Sequence, residues 1–484
     1  MNLNDKKKIA TDAIEKNKNT FIALSDKIWE LAELSLKEYK SADEYCTLMD
    51  KLGFYVEKNI CGIPTAFCGS YGEGKPVIGI LGEFDALSGL SQNPESTEKC
   101  INEKNPENPN GHGCGHNMLG AASLAAAYGV MQYLKESKKS GKIIFFGTPG
   151  EEGGAGKSFM AKAEAWKSLD CALTWHPSDV NQVVTGTCNS CIQTLYNFYG
   201  ISSHAAGNPQ DGRSALDAVE LFNTGVQYLR EHMKSDARIH YAITDTGGIS
   251  PNVVQAKASV LYMVRSKLVK DALALQARVD KIAQGAALMS ETSYEKIFID
   301  GCSNTVPNHT LEKLLYDNMC EQGADTYTDE EMEFAAKIKA TYPESDILPT
   351  IAAEYDDEAK KYVDKLTGGG KISLNDFISP LYNGYAFSAG STDVGDVSWQ
   401  TPTAQINTVC FVSGAPGHSW QNVSLAKSSI GHKGLIKAAE ILAGAMVELF
   451  EKPDILASAK EEFESRTSCG YVCPIPDGEY PKAI

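Results

Sequence analysis

The 484-residue chain is longer than a single hydrophobic core usually supports, so two domains, one of them inserted in the other, are the expectation. Its 43% hydrophobic and 22% charged residues are ordinary for a globular protein, and no stretch reaches the roughly 18 uninterrupted apolar residues of a membrane span. A formal charge of −17 argues against nucleic acid and anionic membrane as partners, because both demand clustered Lys and Arg.

In chain order, Ile9, Ile14, Phe21, Leu24 and Ile28 follow the basic run Lys6-Lys7-Lys8 at helical spacing, without the apolar block of a signal peptide. Thirteen cysteines, scattered from Cys46 to Cys473, form no compact framework and read as reduced thiols in a cytoplasmic protein. Three apolar strands then each end in small, polar, reactive residues. Val77 to Leu81 precedes Gly82-Glu83-Phe84-Asp85, Ile143 to Phe146 precedes Gly147-Thr148-Pro149-Gly150-Glu151-Glu152, and Cys171 to Thr174 precedes Trp175-His176-Pro177. The loop Gly111 to Asn117 opens a helix of small residues from about Met118 to Leu134. This alternation predicts an α/β catalytic domain whose mixed, mostly parallel sheet is flanked by helices, with ligands gathered beyond the carboxyl ends of its strands.

From Ile192 the rhythm becomes βαββαβ, which predicts an inserted ferredoxin-like α+β unit. The expected division is therefore residues 1–191 and 305–484 for the catalytic domain, with 192–304 inserted. Beyond Asn308 a polar, acidic, helix-prone stretch runs to about Ala359 and Gly368-Gly369-Gly370 follows, an expected extension of the catalytic domain. A helix from Ser429 to about Phe450 closes the fold.

The densest chemical signal is His112-Gly113-Cys114-Gly115-His116-Asn117, where glycines allow a tight turn and one thiolate joins one or two imidazoles. Thiolate and neutral imidazole are preferred ligands of zinc and similar ions. Glu151 and Glu152 follow a buried strand and are enclosed by glycines, a poor setting for a surface charge pair. Neighbouring side chains point apart, which suits a division of labour between a metal ligand and a proton acceptor. His176 and His418, the latter in Pro416-Gly417-His418-Ser419-Trp420, are loop or strand-end histidines that could complete the ligand set. His204 lies in the insert and suits a donor to a developing oxyanion. His232, His240, His309 and His432 read as structural or surface residues.

With these residues assembled, the chain resembles the dinuclear-metal aminoacylase and carboxypeptidase (amidohydrolase) family, in the branch with auxin-conjugate amidohydrolases and hippurate hydrolases. The likeness runs through Leu81 to Leu87, the run from Gly111, Pro149 to Lys157, Leu173 to Pro177, Gly212 to Val219, Gly247 to Gln255, Ser391 to Trp399 and Cys473-Pro474-Ile475-Pro476. It implies two divalent ions per chain, zinc or manganese, held by Cys114, His116, Glu152, His176 and His418. Glu151 would be the general base and Asp85 a carboxylate orienting a ligand. Many relatives carry a His ligand two positions before that Asp, where this chain has Glu83. By the same resemblance the insert is a lid and dimerisation module, His204 and Asn252 bind the scissile carbonyl, and Arg265 clamps a substrate carboxylate.

The resemblance implies hydrolysis of the amide of an N-acyl amino acid, foremost p-aminobenzoyl-glutamate, by a homodimer or a heteromer with a paralogous A subunit. The alternatives are an amidohydrolase or dipeptidase for another acyl or aryl conjugate, a non-catalytic partner subunit, and a cysteine hydrolase built on Cys114.

Overall fold

The computed structural model describes residues 1–343, 356–384 and 386–483. Among the described residues, thirteen strands form three sheets. In chain order they are β1 (Tyr55–Lys58), β2 (Phe67–Glu73), β3 (Val77–Gly82), β4 (Gly141–Gly147), β5 (Cys171–Ser178), β6 (Gln182–Val184), β7 (Thr187–Cys188), β8 (Ser190–Tyr199), β9 (Arg238–Asp245), β10 (Lys257–Ser266), β11 (Ser293–Cys302), β12 (Phe387–Ser388) and β13 (Thr403–Val409).

The main sheet is mixed, in the order β1-β2-β4-β3-β5-β13-β6. Its centre, β4-β3-β5-β13, is parallel, while β2, β1 and β6 add antiparallel edges. From β3 the chain moves to β4 on one side and then returns to β5 on the other. A crevice therefore opens between β3 and β5 at their carboxyl ends, the place where open α/β sheets bind ligands.

Three long helices cover one face. The helix Leu3–Leu31 begins with a capping box between Asn2 and Asp5 and buries Ile14, Phe21, Leu24 and Ile28 of the stripe its spacing predicts, while Ile9 is only half-buried and Ala10 is the buried residue beside it. The helix His116–Ser137 packs beside it through alanines and Gly129, where an added Cβ would stand 2.8 Å from the Ala10 carbonyl oxygen. The helix Ser429–Glu451 is buried along nearly its whole length and completes the layer. On the opposite face, Phe159, Trp166, Val397 and Ile475 form a second core under the helix Gly156–Lys162.

The inserted unit has the strand order β11-β8-β10-β9, antiparallel throughout, with the helices Ala215–Arg230 and Val269–Met289. Tyr196, Phe222, Tyr262 and Val279 lie in its core. The chain enters this sheet along β8 and leaves it along β11. Cys191 and Cys302 are cross-strand partners there, with their sulfurs 3.3 Å apart. All thirteen cysteines are free.

Three local features differ from the sequence reading or add to it. The strand that carries His176 does not stop at Thr174 but continues to Ser178, because its ladder with β13 persists to the Ser178–Val409 pair. β6 joins the main sheet at one edge and β7 pairs with β12 in a small separate ladder, and short hydrophobic runs announce neither. The acidic stretch after Asn308 forms the helices His309–Gln322, Asp329–Lys339 and Asp357–Leu366, and its part at 344–355 lies outside the described residues. Among the described residues no helix is long and apolar enough to cross a membrane.

Candidate metal centre

The turn from Gly111 delivers Cys114 and His116 to the mouth of the crevice. Gly115 sits at φ +82°, and a Cβ there would meet Met118, Phe411 and Pro177 at 2.9–3.0 Å, so only glycine allows the chain to swing into the helix that starts at His116. Cys114 Sγ lies 3.2 Å from His176 Nε2. His176 Nδ1 is 2.7 Å from the Pro177 carbonyl, which accepts its proton and leaves Nε2 with a free lone pair toward the thiol.

His116 is arranged in the same way. Its Nδ1 donates to Asp85 Oδ1 at 2.9 Å, while Nε2 is buried, finds no hydrogen-bond partner among the described residues and stands 3.2 Å from Glu83 Oε2. Asp85 also accepts from Ser35 Oγ at 2.6 Å and from the Glu152 amide at 2.9 Å. Burial works against its charge, but these bonds prevail and hold its carboxyl at about 2. One carboxylate thus orients an imidazole and pins the backbone of the acidic loop.

Glu152 projects toward His418, whose Nε2 is 3.5 Å from Glu152 Oε2, and Glu152 Oε1 is buried without a hydrogen-bond partner among the described residues. His418 adopts φ +51°, a left-handed conformation in the loop framed by Gly417, and its half-exposed ring lines the cleft. Cys114, His116 and His176 offer ligand atoms within 4.8 Å of one another, and so do Cys114, Glu152 and His418. The two sets share the thiol. Soft sulfur, neutral imidazole and carboxylate suit zinc or manganese, and the unpartnered His116 Nε2 and Glu152 Oε1 are what a site built for cations leaves behind. The residues present therefore fit a pair of metal ions.

A third grouping, Glu83, His116 and Glu151, has a different character. Glu83 Oε1 is 2.7 Å from Lys157 Nζ, and the same ammonium is 2.6 Å from Asp393 Oδ1. All three side chains are buried, so a fixed cation already answers Glu83. Glu151 stands beside this array. Burial, with the charges of Glu83 and Glu152, pushes its carboxyl well above the usual range. Sequence reasoning missed Lys157 and Asp393, and also Glu38, which accepts the amides of Leu36 and Gly150, both at 2.9 Å, and so supports the loop before Glu151. His112 points away from the centre, with Nε2 3.1 Å from the Ile28 carbonyl.

A cleft of about 360 Å³ joins Cys114, Glu151, Glu152, His176 and His418 to Arg265 on β10 of the insert. Arg265 donates to Ser391 Oγ at 3.0 Å. His204 and Asn252 do not line this cleft. They lie together at the exposed end of the insert, where the Ala205 amide donates to the Asn252 carbonyl at 3.0 Å. The amides of Ala206 and Gly207 donate to His204 Nδ1 at 3.1 and 3.0 Å, which leaves the proton on Nε2, facing outward.

An α/β domain that gathers thiolate, imidazole and carboxylate beneath an inserted α+β roof defines a metal-dependent hydrolase. The family model for peptidase family M20/M25/M40 matches residues 91–377. The chain is 42% identical to the B subunit of the p-aminobenzoyl-glutamate hydrolase of Escherichia coli K12 over 477 residues, 98% of each chain. It is 26% identical to the mouse Xaa-Arg dipeptidase, covering 95% of this chain and 92% of that one. Among solved structures, an aminobenzoyl-glutamate utilization protein from Klebsiella pneumoniae superposes with TM-score 0.56 at 14% identity, covering 90% of this chain and 97% of that one. A dinuclear metal-binding M20 peptidase of Bacillus subtilis gives TM-score 0.54 at 14% identity, covering 90% and 99%. The chain belongs to the M20/M25/M40 peptidase family.

Proposed function

We propose that this chain hydrolyses the amide bond of an N-acyl amino acid, foremost p-aminobenzoyl-glutamate, releasing p-aminobenzoate and glutamate. The observation that carries this reading is the meeting of two ligand sets around one shared thiol, beside a carboxylate, Glu151, that belongs to neither set. The 42% identity to one chain of a p-aminobenzoyl-glutamate hydrolase supports the choice of substrate.

In this reading Cys114, His116 and His176 hold one divalent ion, and Cys114, Glu152 and His418 hold a second, zinc or manganese. Such ions lower the pKa of water toward ~7 and polarise a carbonyl oxygen. Glu151 removes the proton of the attacking water as the carbon–oxygen bond forms. It then passes that proton to the amide nitrogen as the carbon–nitrogen bond breaks, serving as base and then as acid. Asp85 keeps the His116 proton on Nδ1 and so keeps Nε2 available. Arg265 pairs with the substrate carboxylate through its planar fork.

Residues 192–304 act as the lid and dimerisation module on a catalytic domain formed by 1–191 and 305–484 of a cytoplasmic enzyme. Because His204 and Asn252 lie outside their own cleft, they serve the carbonyl oxygen in a neighbouring subunit, either a second copy or a paralogous A subunit. The bacterial relative is itself named as one subunit of a hydrolase, which supports the second arrangement.

The test is an amidase assay on the purified chain with added Mn²⁺ or Zn²⁺, comparing p-aminobenzoyl-glutamate, hippurate and dipeptides. Turnover fastest on the first is expected. Glu151→Ala is expected to retain metal by elemental analysis while kcat falls by several orders of magnitude. Normal turnover in that variant refutes the mechanism, and a metal-free chain without amidase activity favours a non-catalytic subunit.

A further inference from the structure

The roof of the cleft is built from the registered strands β10, β8 and β11. Arg265, Cys191 and Cys302 form one row across it, and Met263, Gln193 and Asp300 form the next. All six side chains line the same cleft as the candidate metal centre.

Asp300 reaches this surface through a change of register. Phe298 stands opposite Thr194, but the next pair on β8 is Gln193 with Asp300, so β11 carries one extra residue. Without that bulge the apolar Ile299 would stand opposite Gln193. Bulges of this kind commonly re-aim side chains beside active sites. Here the result is a carboxyl, 6% exposed, over the reaction cleft.

Very little answers that carboxyl within the chain. It takes a hydrogen bond from the Gly154 amide and feels Arg265 as an attractive charge, while burial and the nearby Asp393 push it up to about 7. Among the described residues it forms no ion pair. A buried carboxyl with spare acceptor capacity, aimed into a cleft, calls for a donor that arrives with the ligand. β8 lies between β10 and β11, which puts those outer strands about 10 Å apart. Arg265 and Asp300 therefore mark opposite edges of the roof, with the metal centre below.

We propose that Asp300 is a specificity-determining residue, accepting a hydrogen bond from an amine on the acyl part of the substrate while Arg265 holds the carboxylate of the amino-acid part. The inference rests on the reading of the chain as an N-acyl amino acid hydrolase and narrows its substrate. The acyl group carries an N–H donor at its far end, as p-aminobenzoyl does and benzoyl does not. The cleft then reads a molecule with an acid at one end, a donor at the other and the scissile amide between them.

Steady-state kinetics of the metal-loaded full chain, wild type against Asp300→Ala and Asp300→Asn, on p-aminobenzoyl-glutamate and on benzoyl-glutamate test this. Loss of a buried hydrogen bond makes the expected loss for Asp300→Ala about tenfold in kcat/KM on the amino substrate, chiefly in KM. The loss on benzoyl-glutamate stays below about twofold, as expected where no such bond is made. Asp300→Asn preserves shape and the Gly154 contact, and a smaller loss confined to the amino substrate is expected. Calorimetric binding in a Glu151→Ala background provides a readout independent of turnover. There, Asp300→Ala should weaken p-aminobenzoyl-glutamate selectively.

Equal losses on both substrates in both variants overturn the inference, since Asp300 would then serve only to hold the Gly154 loop, and they leave the hydrolase reading intact. A wild-type chain that cleaves and binds neither amide removes the substrate reading and this inference with it.

Discussion

At Lys157, an ammonium removed from solvent lies 2.7 Å from Glu83 and 2.6 Å from Asp393. Such a cation compensates two buried carboxylates at once, and deleting it leaves both without a counter-charge. Lys157→Met is therefore expected to lower stability by about 3–5 kcal/mol, read as a fall in the urea midpoint at unchanged slope. A loss below about 1 kcal/mol would show that the two acids take up protons instead of remaining charged. This residue also marks the limit of legibility at this scale. Cys114, His116, Glu152, His176 and His418 stood out because donor types gather where strands end and glycines frame them. Lys157 depends for its meaning on Asp393, 236 positions away, and an isolated lysine after a glycine-rich loop carries no such signal. Glu38 and Ser35 escaped notice for the same reason, since their partners belong to other segments.

At the scale of elements, the long helices were readable from their apolar spacing, as in Leu3–Leu31 and Ser429–Glu451. Short strands were not. β6 and β7 are too brief to show a period, and the extension of β5 to Ser178 depends on pairing with β13 rather than on its own residues. The contact between the helices Leu3–Leu31 and His116–Ser137 makes its own prediction. Gly129 faces the Ala10 carbonyl oxygen at 2.8 Å and Ile14 at 2.9 Å from where a Cβ would sit. Gly129→Leu should force the pair apart and destabilise the fold by about 1–3 kcal/mol in thermal or urea unfolding. Because the second of these helices begins at His116, the same strain should weaken metal retention. An unchanged melting temperature would show that the layer is looser than this packing implies.

For the whole molecule, the inserted unit was legible as βαββαβ because each strand and helix is long enough to declare its period. Its placement over the cleft was not, since no residue pattern encodes how two domains face each other. That placement puts Arg265 over the cleft, while His204 and Asn252 are exposed and do not line it. If His204 serves a neighbouring copy, two defective chains can repair each other. Mixing and re-associating Glu151→Ala with His204→Ala chains should restore about a quarter of wild-type activity, since random pairing makes half the dimers mixed and each mixed dimer holds one intact site. No recovery after demonstrated exchange of subunits would exclude a second copy as the recipient.

The adjacency of β8 and β11 also bears on the chain's history. Cys191 and Cys302 share one rung, so the backbone departs from the catalytic domain and comes back to it almost at a single point. To the host, everything between is equivalent to one tight hairpin, and modules attached through neighbouring termini are the ones that proteins most readily acquire, discard or trade. Because Arg265 and Asp300 travel on that module while Cys114 and Glu151 remain behind, recombination at this one junction would, under the roles proposed for them, exchange the surface that reads the ligand and leave the groups that break the bond untouched.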